Sequence, residues 1–320
     1  MACFHPIQGY RSESVNPSGK RSITVVSAKA RGGGLFPVQL PCGKCIGCRL
    51  EHSRQWAIRC VHEASLYERN CFITLTYNPE SLPKGGTLVK KDFQDFMKRL
   101  RERVPDRIRF FHCGEYGEVC KTCSKGKPYC ECEEFIPSIG RPHYHAALFN
   151  FDFSDKKLWK TTRNGDKLYV SELLDSCWQE KGHCTVGDLT FSSAAYVARY
   201  IAKKITGPRA EAHYGGRLPE YTTMSRRPGV GREWVRQWSA DIFPVDSVVI
   251  RGKEMKVPKF YNRVFELEFP EEYARVKATR RDVASELQDS PDNSYERRLV
   301  REKVQELLLE QELPRKLENG

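Results

Sequence analysis

The order in which two hydrophobic periods follow one another constrains this chain more than any other feature. CFITLTYN alternates and is rich in β-branched residues, so Cys71 to Tyr77 reads as a strand. KKDFQDFMKRLRER then puts Phe93, Phe96, Met97 and Leu100 at i, i+3, i+4 and i+7, the stripe of an amphipathic helix. DRIRFFHCGEY reads as a second strand and, after a long polar excursion, HYHAALF as a third. YVSELLDSCWQE has a helical pattern, GHCTVGD gives a short fourth strand, and SSAAYVARYIAKKI is a further helix ending at Gly207. The series β-α-β-β-α-β-α predicts an α+β fold. Its first six elements match a ferredoxin-like, RRM-like split βαβ core, with strands two and three forming a hairpin in a central antiparallel sheet.

Around that core the chain divides into four parts. Residues 1–70 are an N-terminal arm, a cysteine knuckle and a helix; the first forty, rich in Gly, Ser and Lys, read as loop or arm. Residues 71–207 are the core, with a cysteine-rich insertion at 119–140. A Gly/Arg-rich extension at 208–265 packs on it, and 266–320 is a charged helical tail. The formal net charge is +12, but the tail holds 10 basic against 14 acidic residues, so residues 1–265 carry +16. Such a surplus attracts phosphate backbones, although a membrane surface or solubility alone would give the same count. No run approaches the roughly 18 apolar residues of a membrane span, and MACFHPIQGY lacks a signal-peptide core. A cytosolic protein with no membrane partner is the expectation. No G-x-x-x-x-G-K-[ST] loop occurs, so no ATPase or helicase activity is expected of this chain.

Strand side chains alternate faces, so His143 and His145 point the same way and can fill two positions of a divalent cation. If strands two and three form a hairpin, Glu115 in HCGEYGE brings a carboxylate beside them, with His112 and Glu118 as competing third ligands. Two imidazoles and a carboxylate, with positions left open, suit Mg or Mn. On a wheel at roughly 100° per residue, Ala194, Val197, Ala198, Ile201, Ala202 and Ile205 cover one sector of the last helix. Tyr196, Tyr200, Arg199, Lys203 and Lys204 fill the other, with the apolar face already complete. A phenol oxygen flanked by cations can attack a phosphodiester and become covalently joined to it.

Thirteen cysteines without an export signal favour metal ligation over a disulfide framework. Cys120, Cys123, Cys130 and Cys132 are spaced to supply the four thiolates of a structural zinc. Cys42, Cys45 and Cys48 form a second knuckle, with Cys3, His5 or His52 available as fourth ligand. A ferredoxin-type iron-sulfur run would need a further Cys three residues on, followed by Pro, and neither is present.

HYHAALF resembles the His-hydrophobe-His motif of the HUH endonucleases, and YVARY resembles the Tyr-x-x-x-Tyr motif of their two-tyrosine replication initiators. FITLTYN, CGEYGE, GRPHYHAALF, YVARYIAKK and SRRPGVGREW, in this order, are similar to the replication-initiation proteins of Microviridae, especially the gokushovirus branch. The likeness runs from Pro41 to about Tyr261. It implies the HUH endonuclease fold and rolling-circle initiation on single-stranded phage DNA in the cytoplasm of a bacterial host, with host helicase and DNA polymerase as partners. It further implies Tyr196 and Tyr200 as nucleophiles, Lys203 as their phosphate or phenolate partner, and His143 and His145 as metal ligands. Arg141, Arg199 and Lys204 would contact DNA, and Cys3 would complete the N-terminal knuckle. A zinc-stabilised DNA-binding protein without catalysis is the rival expectation; it explains the basic body and the cysteines but leaves the two tyrosines unused.

Overall fold

The computed structural model describes residues 3–16, 21–25, 35–126, 130–132, 137–162, 165–203, 209–286 and 290–316. The chain forms two units, residues 1–51 with 283–311 and residues 52–282 with 312–320. In the first, β1 (Ile7–Val15), β2 (Arg21–Thr24) and β3 (Leu35–Leu40) make an antiparallel sheet in the order β2-β1-β3. This corrects the expectation of loop or arm for the first forty residues. Ile7 pairs with Leu40 and Gly9 with Val38, and a Cβ at Gly9 would stand 2.6 Å from Leu40 Cδ1. The glycine that looked like loop composition is there so that a neighbouring side chain can cross the strand.

The boundary between the units falls inside α1 (Ile46–Ala64). The second unit continues with β4 (Asn70–Leu75), α2 (Lys90–Arg103), β5 (Arg109–Cys120), β6 (Pro137–Phe149), β7 (Lys157–Thr161), β8 (Lys167–Val170), α3 (Glu172–Trp178), β9 (Cys184–Asp188) and α4 (Phe191–Lys203). It then runs through α5 (Arg209–Tyr214), β10 (Tyr221–Met224), α6 (Arg232–Ile242), β11 (Ser247–Ile250), β12 (Lys253–Lys256), α7 (Lys259–Glu268) and α8 (Pro270–Glu286). The tail helix is α9 (Tyr295–Lys316). Seven strands form one antiparallel sheet in the order β10-β5-β6-β4-β9-β8-β7. Its inner four, β5-β6-β4-β9, follow the split βαβ order, with β5 and β6 as the hairpin. The hairpin β7–β8 and strand β10 extend the two edges, and the sequence did not announce them. DKKLWKTTRNGDKLYV is mostly polar because edge strands bury little and carry charge.

Alternation splits the sheet into two differently packed faces. On one, Ile73, Leu75, Tyr144, Ala146, Leu148 and Val186 meet Phe93, Phe96, Met97 and Leu100 of α2 and Leu174 and Trp178 of α3. Each large side chain so buried contributes roughly 1.5–3 kcal/mol. On the other, Phe111, Cys113, Ala147 and Phe149 meet Cys60 of α1 and Ala194, Val197 and Ala198 of α4. The extension builds its own cluster on Ile58, from Val235, Ile242, Val248, Ile250, Tyr261, Val264 and Phe265.

The SRRPGVGREW segment locks that extension to the sheet. Glu63 pairs with Arg109 Nε through one oxygen and accepts the Gly231 N–H at 2.6 Å through the other. Arg109 also donates to the Pro228 carbonyl at 2.9 Å. Gly231 has φ 78°, and a Cβ there would lie 2.7 Å from Tyr261 Oη. Only glycine tolerates both conditions.

Candidate active site

Pairing of β5 with β6 sets Cys113 opposite His145 and Glu115 opposite His143, and β4 sets Thr74 opposite His145. Paired residues share a face, so Thr74, Glu115, His143 and His145 all project toward α4. Their polar heads converge. Nε2 of His143 and Nε2 of His145 each lie 2.7 Å from Glu115 Oε1. Glu115 is 1% exposed, and among the described residues its Oε2 has no hydrogen-bond partner.

The far nitrogens of both rings are held from behind. His143 Nδ1–H donates to the Arg141 carbonyl at 3.3 Å, and His145 Nδ1 is hydrogen-bonded to Thr74 Oγ1 at 2.9 Å. A neutral imidazole protonated at Nδ1 keeps its lone pair on Nε2. Burial by itself would raise the Glu115 carboxyl, but the two adjacent imidazoles outweigh it and hold the group below its ordinary range. Lone pairs on two rings and a carboxylate oxygen therefore face one another, an arrangement that a shared cation stabilises. The three ligand atoms lie within 4.8 Å of one another. Adjacent ligands on an ion with bonds of about 2.1 Å stand about 3 Å apart, so the residues fit a divalent cation.

The two competing ligands lie elsewhere. His112 projects from the opposite face, its ring 3.4 Å from that of Phe93 and its Nδ1 2.9 Å from Thr223 Oγ1. Burial, followed by the charge of His145, pushes its pKa well below the ordinary value. Glu118 is exposed, beyond a register shift that follows Tyr116.

Tyr196 sits over the cluster. Its ring meets that of His145 edge-on at 5.0 Å, and its Oη donates to Glu115 Oε1 at 3.4 Å. Ala194, Val197 and Ala198 are fully buried under the same helix. Tyr200, Arg199 and Lys203 lie on α4, but their side chains, and all of Lys204, fall outside the described residues. Arg141 has an exposed side chain that donates to the Tyr77 carbonyl at 2.8 Å. It borders, with Thr76, Tyr77, Gly117, Val119, Pro142 and His143, a cavity of about 370 Å³.

Residues 70–205, which hold this whole site, match the family model of the phage replication-associated protein ORF2. Over nearly the full chain, replication-associated protein VP4 of Bdellovibrio phage phiMH2K is 32% identical across 297 residues, covering 91% of this chain and 87% of that protein. Replication-associated protein ORF2 of Spiroplasma virus 4 is 30% identical across 298 residues, covering 89% and 87%. The chain belongs to the phage replication-associated protein family. Replication-associated protein ORF4 of Chlamydia phage 1 is similar at 25% identity, over 81% of this chain and 63% of that protein. No solved structure matches.

Two further clusters in this family member have metal-ligand geometry. The sulfurs of Cys3, Cys42, Cys45 and Cys48 lie within 4.8 Å of one another, with Cys42–Cys48 at 4.0 Å and Cys45–Cys3 at 3.9 Å. Zn–S bonds of about 2.3 Å give a tetrahedron with edges of about 3.8 Å, so the set fits zinc. Burial raises the Cys45 thiol, yet backbone N–H groups of Cys48 and Phe4 and the neighbouring thiols bring it down to about 7. The other two candidates for the fourth position have partners of their own: His5 pairs with Glu302 at 2.5 Å, and His52 accepts from Trp56 Nε1 at 3.3 Å. Cys120, Cys123, Cys130 and Cys132 form the second set, with Cys123 and Cys130 3.5 Å apart. All thirteen cysteines are free of disulfides. Among the described residues no helix is long and apolar enough to cross a membrane.

Thr74 was missed from the sequence. Its signal was there in FITLTYN, where Thr74 and Thr76 alternate with Ile73 and Leu75, but its role depends on which strand lies beside it.

Proposed function

We propose that this chain is the rolling-circle replication initiator of a single-stranded DNA bacteriophage, a metal-dependent nickase and strand transferase. The observation that supports it most is the Tyr196 phenol held 3.4 Å from the same carboxylate oxygen on which His143 and His145 converge. The relatives' names, all replication-associated proteins of phages or viruses, point the same way.

Glu115, His143 and His145 would hold Mg or Mn, which when bound polarises the scissile phosphate and steadies the leaving oxygen. One of Tyr196 and Tyr200 attacks phosphorus in the viral strand at the origin. Its phenol proton is lost, a 5′-phosphotyrosine forms, and the bond to the departing 3′ oxygen breaks. The 3′ hydroxyl then primes a host polymerase, behind a host helicase. After one round the other tyrosine cleaves the regenerated origin, and the new 3′ hydroxyl attacks the first phosphotyrosine to close the circle. Lys203 screens phosphoryl charge, and Arg141, Arg199 and Lys204 hold the DNA backbone. Zinc on the two cysteine sets has a structural role, and the work is done in the cytoplasm of the bacterial host.

The test is to incubate the purified chain with the phage's circular viral-strand DNA and Mn, then look for a denaturation-resistant adduct on the 5′ side of the break. Either single Tyr→Phe variant is expected to retain an adduct at reduced yield, and Tyr196→Phe/Tyr200→Phe to give none. An adduct from the double variant would overturn the nucleophile assignment. DNA binding with no adduct under any divalent metal would instead favour a non-catalytic, zinc-stabilised DNA-binding protein.

A further inference from the structure

The edge hairpin β7–β8 carries chemistry that the nicking reaction does not use. Residues 156–167 hold five basic residues against one acidic. Among them Trp159 is 46% exposed, although a tryptophan serving the core would be covered. The His183 ring lies 4.4 Å from it at 59°, and Lys160 Nζ stands 4.5 Å over its face. β7 is irregular at this point, with Leu158 opposite Tyr169 but Lys160 opposite Leu168, so Trp159 is the extra residue of a bulge. Bulges on edge strands re-aim side chains.

The direction of aim follows from register. Thr74 is opposite both His145 and Thr185, so Thr185 shares the face of the metal-ligand cluster, and His183, two residues earlier, falls on that side too. Thr76 Oγ1 donates to the His183 carbonyl at 2.7 Å, and Thr76 borders the cavity that also contains Arg141 and His143. Surface therefore runs without a break from His143, across Thr76, to His183 and Trp159. Four strand spacings of about 4.8 Å separate β6 from β7, roughly 19 Å in all.

Single-stranded DNA is bound by cations that follow its phosphates and by aromatic rings on which unpaired bases stack. This path supplies both. We propose that Trp159, backed by His183 and flanked by Lys160, is a stacking platform for an unpaired base of the single strand that leads away from the cleavage centre. The proposal rests on the nicking reading for the identity of that centre, and its test does not.

Fluorescein-labelled oligo(dT) of about 30 nucleotides is titrated with the full chain and followed by anisotropy. Trp159→Ala is expected to weaken binding by about 5- to 100-fold, and Trp159→Phe to stay within about threefold of wild type. Lys160→Gln is expected to lower the slope of log affinity against log salt by about 0.7. Trp159→Ala binding within about twofold of wild type overturns the platform. So does an equal loss on a duplex of the same length, because stacked base pairs offer no free face. If wild type makes no adduct yet Trp159→Ala loses oligo(dT), the platform stands and the nicking reading falls. If wild type makes the adduct and Trp159→Ala binds oligo(dT) normally, the reverse holds.

Discussion

Glu63 and Glu115 are both 1% exposed, and both meet the α4 side of the same sheet, one through Arg109 and the other from within β5. Glu63 gives one oxygen to the Arg109 guanidinium and the other to the Gly231 N–H, fixed donors that complete its bonding. Glu115 turns one oxygen to two imidazole nitrogens and leaves the other without a hydrogen-bond partner among the described residues. Equal burial thus accompanies opposite chemistry. A buried carboxylate whose oxygens are filled by donors holds structure together, and one facing other ligand atoms is prepared for a cation.

The largest effect is expected where the closed pair is opened. Glu63→Ala leaves Arg109 charged and buried, and should cost about 3–5 kcal/mol of unfolding free energy in urea. Mn affinity of the protein that remains folded should not change. A Glu63→Ala protein as stable as wild type would erase the distinction between the two carboxylates.

Glu115→Gln should do the converse. Adduct formation is expected to fall by roughly 10²–10³-fold, the range for losing a group that organises charge at reacting oxygens. Metal-free stability should stay within about 1 kcal/mol of wild type, because no completed bond set is broken. Destabilisation as large as that of Glu63→Ala would make Glu115 a structural group.

Thr74→Val sharpens the comparison by keeping the ligands and removing the hydroxyl behind His145. Mn binding by calorimetry should weaken about 10- to 100-fold, with Thr74→Ser near wild type. Unchanged affinity in the Val variant would mean that the ring is oriented without it. On the other face, His112→Phe should leave Mn affinity alone and cost about 1–3 kcal/mol, since the Thr223 hydroxyl loses its partner. Loss of Mn binding there would contradict the separation of faces.

The smallest effect concerns an imidazole with no carboxylate to share. His62 is buried, stacked on Trp234 at 3.4 Å and hydrogen-bonded to Tyr261 Oη at 2.9 Å, and burial pushes its pKa down to about 3. Its folded value lies below its unfolded one, so the unfolded chain takes the proton first. The stabilisation is complete above about pH 6.5 and declines as pH falls toward 3. Between pH 7 and 6 the loss should be about 0.7 kcal/mol, read as a falling Tm, and His62→Phe should flatten that slope.

Much of this site was legible before any coordinates. The spacing of His143 and His145 puts them on one face wherever the strand lies, and a β5–β6 hairpin brings Glu115 to them. The stripe of Phe93, Phe96, Met97 and Leu100 was equally plain, and all four are buried. Other parts were not. The N-terminal sheet hides behind Gly, Ser and Arg because its pairing, not its composition, makes it a sheet. Lys157 to Val170 looked like a charged link because an edge hairpin has little apolar area to bury.

What the sequence determined by itself was direction: which side of a strand or helix each residue occupies, because alternation and the 3.6-residue turn are properties of the local backbone. What only the tertiary structure decided was company. That Thr74 stands behind His145, that Gly231 answers Glu63, and that Trp159 rests on His183 each require segments far apart in the chain to meet. Such meetings are set by how the whole sheet closes and packs, a balance of burial against chain entropy that no local pattern encodes.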